Sequence, residues 1–187
     1  MATTGALKQL KVLEIAEGIS GPYCGKLMAG LGADVIKIEP PCGDATRQTG
    51  PFPNDIPDPE ASGLFLYLNT GKRSVTLDVE HESGTVVEMV QDVDVVIENY
   101  PPGKLASLGL GYDDMARVNP SVLVVSITPF GQYGPYRDFE SSDIVVHALS
   151  GELYLAGRPE REPLKKGGNL SEYHGGLNGH LSVMAAL

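Results

Sequence analysis

Short β-branched apolar runs alternate with helix-like stretches along this chain, and that alternation limits its fold more than any other feature. The runs are Lys11–Ile15, Asp34–Ile38, Ser74–Asp78, Val93–Ile97 and Ser121–Ile127. Each has strand length and composition, and several are apolar on both alternations, as strands buried on both faces are. Between and after them lie Pro22–Leu31, Ser83–Gln91, Tyr112–Val118 and His174–Leu187. Gly21-Pro22 puts a proline at a first helical turn, and Asp113 and Asp114 precede Arg117 in agreement with a helix dipole. Strand and helix in turn predict an α/β fold: an open, mostly parallel sheet with helices on both faces. His147, inside the apolar run Ile144–Leu149, reads as a packed helix residue.

Composition removes several function classes. At 187 residues, 42% hydrophobic and 20% charged, the chain suits one sizeable globular domain. A net charge of -10 argues against a nucleic-acid partner. It leaves room for an anionic small molecule held by a few placed cations or helix N-termini. No apolar run reaches membrane-spanning length, so no membrane partner is expected. Met1–Gln9 has no apolar leader core, which makes a cytoplasmic location the default expectation. Cys24 and Cys42 form no ligand pattern, and His174 and His180 lack the spacing of a zinc pair, so no metal site is expected.

Two irregular stretches, 40–63 and 129–139, are long enough to be functional or mobile. The apolar end Leu181–Leu187 carries no cap, terminal glycine or basic last turn, and it reads as a chain interrupted inside a helix. Such a helix is expected to show an apolar face around Val183–Leu187.

The first unit has the outline of a dinucleotide site: a strand, the turn Gly18-Ile19-Ser20-Gly21, a helix, a second strand and then Glu39. The glycines fall at 18, 21 and 25, however, and Pro22 stands where a free N–H is wanted. On these residues, glycines serving a tight turn and a close helix–sheet approach outweigh an NAD-binding domain, which stays as an alternative.

A longer series of words in the chain is more specific. Leu10-Lys11-Val12-Leu13-Glu14 leads to Gly21-Pro22-Tyr23-Cys24 and then to Leu31-Gly32-Ala33-Asp34-Val35-Ile36-Lys37-Ile38-Glu39-Pro40. Asn69-Thr70-Gly71-Lys72-Arg73-Ser74, Glu98-Asn99-Tyr100-Pro101-Pro102-Gly103, Leu108-Gly109-Leu110-Gly111-Tyr112 and Gly134-Pro135-Tyr136 follow in order. Together these resemble the class III CoA-transferases of the CaiB/BaiF type across residues 10–187. The resemblance implies a Rossmann-like large domain, of which 1–187 would be the N-terminal portion, with a small domain and a C-terminal return segment absent. It also implies interlocked homodimers in the full-length protein. Acyl-CoA and a free carboxylic acid would be the substrates, with no tightly bound cofactor.

The resemblance further implies a carboxylate nucleophile at the start of a glycine-containing helix, four residues before a glycine. Glu172 holds that place, ahead of Gly176, where family members carry Asp. One added methylene moves a carboxylate by an ångström or so, enough to cost on the order of 100-fold in rate unless the backbone compensates. CoA contacts are expected at the turn Gly18, Ile19 and Ser20, at Lys72 and Arg73, and at the strand end Asn99 and Tyr100. Two basic positions usual in the family read Pro40-Pro41 and Ser107 here, with Lys104 as a nearby substitute. Other readings are an α-methylacyl-CoA racemase of the same fold and a non-catalytic CoA-binding fragment. Ser142, where the racemases carry a catalytic His, and the missing Asp at 172 count against the racemase.

Overall fold

The computed structural model describes residues 5–187. Its elements run β1 (Lys11–Ile15), α1 (Ser20–Gly30), β2 (Asp34–Glu39), two short 3-10 turns (Ala45–Gln48 and Pro53–Asp55), α2 (Gly63–Asn69), β3 (Arg73–Thr76), α3 (Ser83–Val90) and β4 (Val95–Glu98). They continue with α4 (Lys104–Ser107), α5 (Tyr112–Val118), β5 (Leu123–Ser126), α6 (Asp143–Leu149), α7 (Glu152–Leu155) and α8 (Leu170–Ala186). The strands form one five-stranded sheet in the order β3-β2-β1-β4-β5, parallel at every pairing. The order reverses between β1 and β4, so a crevice opens outside their carboxyl ends, where open sheets of this kind bind ligands.

Strand alternation divides the core between two faces. Leu13, Ile15, Ile38 and Val96 pack with Val86 and Val90 of α3, Leu105 of α4 and Met115 of α5. Val12, Val35, Val95 and Ile97 point the other way, to Cys24 and Met28 of α1 and Val183 of α8. The helices therefore cover both faces, as the sequence pattern predicts.

Alternation also puts two charges on the α1 face. Glu14 and Lys37 are cross-strand partners in the β1–β2 register and are fully buried. Lys37 Nζ lies 3.2 Å from Glu14 Oε1, 2.8 Å from Asp44 Oδ2 and 2.5 Å from the Ala16 carbonyl. Lys72 Nζ reaches the other Glu14 oxygen at 2.7 Å. A Cβ on Gly25 of α1 would stand 2.0 Å from Glu14 Oε2, so only a glycine lets the helix ride over this cluster. Burial pulls the Lys37 ammonium towards neutrality, but Glu14 and Asp44 outweigh it and its pKa is raised. For Lys72 burial prevails, and its pKa falls to about 8 despite Glu14.

The 40–63 stretch is anchored at both ends. Arg47 pairs with Glu39 at 2.7 Å and lies over the Phe65 ring at 3.7 Å. Ser62, fully buried, caps α2: its Oγ accepts from the Phe65 N–H at 3.1 Å and sits 2.8 and 2.6 Å from the Thr46 and Thr49 carbonyls. Ser62→Ala removes the cap and orphans buried carbonyl groups, and is expected to cost about 1–2 kcal/mol, read as a lower urea midpoint with an unchanged m-value.

The last helix packs on α1 through glycine. A Cβ on Gly176 would meet the Ser20 carbonyl oxygen at 2.4 Å, and one on Gly179 would meet Ile127 Cδ1 at 2.7 Å. Val183 is buried on this side, while Leu177, Leu181 and Met184 face solvent, giving the apolar exposure expected of this segment. No described helix is long and apolar enough to cross a membrane.

Candidate active site

The crevice between β1 and β4 is closed by side chains from three parts of the chain. Gly18 takes a left-handed backbone (φ 74°), which turns the chain from β1 into α1. Asn99, the first residue after β4, holds that turn from across the switch point. Its Oδ1 accepts from the Glu17 N–H at 3.1 Å, and its Nδ2 donates to the Glu17 carbonyl at 2.7 Å and to Ser20 Oγ at 3.3 Å. The amide thus satisfies both backbone groups of Glu17 and fixes the mouth of the crevice.

Glu172 comes to the same turn from the first turn of α8. A Cβ added to Gly18 would lie 4.0 Å from Glu172 Oε2. Burial first and the nearby Asp143 carboxylate second raise the Glu172 pKa, while the Ile19 backbone N–H pulls the other way by hydrogen bonding the carboxylate. Asp143 belongs to α6 and accepts from Ser171 twice at Oδ1: from its backbone N–H at 2.9 Å and from its hydroxyl at 2.5 Å. Lys165 Nζ lies 2.5 Å from Asp143 Oδ2. Although burial opposes it, this set of donors holds the Asp143 carboxyl down at about 2.

A cleft of ≈ 550 Å3 opens beside Glu172, between the end of β5, α6 and α8. Its lining mixes hydroxyl and amide side chains, among them Ser20, Thr128, Ser171 and Asn178, with apolar ones such as Val125, Ile127 and Val146. Gly175 and Gly179 keep the α8 wall low. Such a site can hold an ionised carboxylate close to backbone donors, beside room for an acyl group.

The structure brings Gly18, Ile19, Ser20, Asn99 and Glu172 into one cluster. Tyr100 adjoins it but is half-buried against the opposite face of the sheet, its N–H donating to Glu98 Oε2 at 2.8 Å. Burial first, then the negative charges of Glu17 and Glu80, push its phenol pKa up. Lys104 is half-exposed and paired with Glu80 at 2.5 Å. Lys72 and Arg73 are not brought to the cluster. Lys72 Nζ is buried and meets Glu14, the Pro22 carbonyl and Asn69 Oδ1, which occupy the three donors of an ammonium. Arg73 opens β3 at the amino edge of the sheet, away from the crevice, in a bidentate pair with Asp34 at 2.9 and 2.6 Å. Neither guanidinium nor ammonium is free for a phosphate.

Sequence reasoning did not single out Asp143 as a partner of α8, nor Ser171, nor Arg137, whose guanidinium reaches the Pro102 carbonyl at 3.3 Å beside the Pro-Gly turn. The available signal for Asp143 was its place as a first-turn acid ahead of an apolar run. Ser171 gave none, because its partner lies 28 residues away. His180 is buried on α8 with Nδ1 unpartnered, and burial lowers its pKa. Among the described residues no group of His, Cys, Asp and Glu is arranged to hold a metal ion.

The sequence pattern of CoA-transferase family III matches residues 7–187. Subunit BbsE of the succinyl-CoA:(R)-benzylsuccinate CoA-transferase of Thauera aromatica is 39% identical over 175 residues, which are 90% of this chain and 43% of BbsE. The succinate–glutarate CoA-transferase of Agrobacterium fabrum is 38% identical over 97% of this chain and 46% of its own length. A crystal structure of a CaiB/BaiF family protein from Brucella suis superposes with a TM-score of 0.88 at 37% identity, covering 97% of this chain and 49% of that one. The chain thus spans about half the length of the relatives it matches.

Proposed function

This chain belongs to CoA-transferase family III, and from that we propose that it supplies the nucleophile and the crevice floor for moving CoA from an acyl-CoA to a free carboxylic acid. The observation that carries the reading is Glu172, in the first turn of α8 and poised over the Gly18 turn at the sheet's switch point.

The chemistry proposed is the one that the resemblance to the class III transferases implies. The Glu172 carboxylate attacks the thioester carbonyl, the C–S bond breaks, and CoA thiolate leaves a mixed anhydride on Glu172. The thiolate then attacks the glutamyl carbonyl, releasing the donor acid and leaving a glutamyl-CoA thioester. The acceptor carboxylate attacks that thioester, and CoA returns to the anhydride so formed to give the new acyl-CoA and free Glu172. Carboxylates are weak nucleophiles, and burial beside Asp143 makes this one more basic than a solvated glutamate. Gly175 and Gly176 allow a thioester to come close to the α8 backbone. The Glu172 side chain reaches the Gly18 turn from the first turn of α8.

Coenzyme A enters this scheme as substrate, with no tightly bound cofactor. The matched relatives are named for CoA transfer involving succinyl-CoA and benzylsuccinate, or succinate and glutarate, and a small carboxylic acid suits a cleft that mixes hydroxyl and apolar side chains. A cytoplasmic homodimer remains the expected setting. No observation favours the racemase or the NAD-binding reading.

The test uses succinyl-CoA as probe. Incubation followed by borohydride or hydroxylamine is expected to modify the peptide holding Glu172, and Glu172→Gln to abolish the modification. Labelling that persists in Glu172→Gln would transfer the nucleophile to another residue. CoA binding without labelling in either protein would make this a CoA-binding chain with no turnover.

A further inference from the structure

His147 is almost fully buried, yet α6 around it is turned inside out, with Ile144, Val145 and Leu149 facing solvent. A helix that exposes its aliphatic residues and buries a histidine has a polar reason to do so. The imidazole lies between two carboxylates. Nδ1 is 2.5 Å from Glu152 Oε2, and Nε2, which has no hydrogen-bond partner, faces Asp143 Oδ2 at 3.6 Å. Glu152 is held in turn by Lys166, and Asp143 by Lys165. The two lysines come from one stretch of loop just ahead of α8, so α6, α7 and that loop close on one another through these contacts. Asp143 then passes the arrangement on through its two bonds to Ser171, the residue preceding Glu172.

We propose that His147 is a positioning residue of the Glu172 site: its buried imidazole, seated between Glu152 and Asp143, keeps the Asp143 carboxylate against the first turn of α8 and so fixes where Glu172 stands. The proposal rests on Glu172 being the acyl-carrying group, but it concerns the placement and charge environment of that carboxylate and can be read without turnover.

Two features favour this over simple packing. The histidine's two nitrogens address two different elements, α7 and the first turn of its own helix, which an apolar side chain of equal size would leave unlinked. Asp143 also acts on Glu172 directly, as the second cause of its raised pKa. The ionisable groups about this ring are Asp143 from α6, Glu152 from α7, Lys165 and Lys166 from the loop, and Glu172 and His174 from α8; β5 and α1 bring only uncharged groups to the cleft.

The experiment is a titration of the Glu172 carboxyl by carbon-13 NMR in protein of this sequence, with Glu172→Gln identifying the resonance. Removing the imidazole in His147→Leu leaves Asp143 and Glu152 facing one another, and the Glu172 midpoint is expected to move up by about half a pH unit or more. Asp143→Asn keeps an acceptor for Ser171 but removes the charge, and is expected to move the midpoint down. In the Asp143→Asn background the effect of His147→Leu should vanish, because the relay is already cut. His147→Gln, which puts an amide between the same two carboxylates, is expected to recover most of the wild-type value. A lower melting temperature with an unmoved Glu172 midpoint in His147→Leu would overturn the proposal and leave His147 a packing residue; if the leucine variant does not fold, an unmoved midpoint in Asp143→Asn overturns it. Loss of succinyl-CoA labelling plays no part in this readout, so failure of the transfer chemistry and failure of the relay are separate results.

Discussion

Lys37→Met is expected to destabilise the fold by about 3–5 kcal/mol, because it removes the centre of a buried charge cluster while leaving its acids in place. Glu14 and Asp44 would remain out of water without the ammonium that lies between them, and the Ala16 carbonyl would lose its donor. Lys72 cannot replace it. That side chain is already committed to Glu14, Pro22 and Asn69, and burial has brought its own pKa down to about 8. Equilibrium unfolding in urea measures the loss. A cost below about 1 kcal/mol would mean that water enters beneath α1 and solvates the acids. The triple change Lys37→Met, Glu14→Leu, Asp44→Leu should recover part of the stability, since a buried ionic cluster replaced as a unit by apolar groups is often neutral or better.

Gly176→Val should unseat α8. The added Cβ falls 2.4 Å from the Ser20 carbonyl oxygen, 3.1 Å from Tyr23 Cβ and 3.2 Å from the Cys24 backbone nitrogen. Two of those three atoms are main chain of α1, which cannot rotate away as a side chain would. The helices must part, at a cost near the upper end of overpacking, about 3 kcal/mol. Glu172 moves with α8, so labelling by succinyl-CoA should fall along with the melting temperature. Gly84→Ala is the control: nothing lies within 4 Å of a Cβ there, in α3. It is expected to be neutral or stabilising by up to about 1 kcal/mol. Equal losses in both variants would show that the damage comes from losing glycine as such and not from the contact.

The sheet was legible because its strands carry their signal locally. β1 falls on the run Lys11–Ile15, and β2 and α5 match their predicted spans within a residue. α8 begins at Leu170, earlier than the glycine-rich start at His174 suggested, because Ser171 is held by Asp143 and not by its own propensity. α2, which follows the irregular 40–63 stretch, went unread, since its start depends on Ser62 reaching Thr46 and Thr49. Glu172 and Asn99 were singled out through the resemblance to the class III transferases, not by spacing alone. The basic residues could not. Lys72 and Arg73 look like a solvated pair in sequence, and only the parallel register shows that the acids of two strands claim them. That register had a visible trace: Glu14 and Lys37 are opposite charges at the same place in two otherwise apolar strands. Reading them as cross-strand partners would have predicted both the buried pair and the fate of Lys72.

The glycine contact between α1 and α8 also bears on how the site comes into being. Ser20 and Gly176 touch although about 150 residues separate them along the chain, and closing a loop of that length is entropically late work. Strands β1, β2 and β4 meet over much shorter spans, so the sheet and its α3–α5 face can condense while the last helix is still searching. In a refolding experiment secondary structure should therefore return before Glu172 acquires its shifted ionisation. The carboxylate proposed as nucleophile would thus reach its place only when this long-range contact closes.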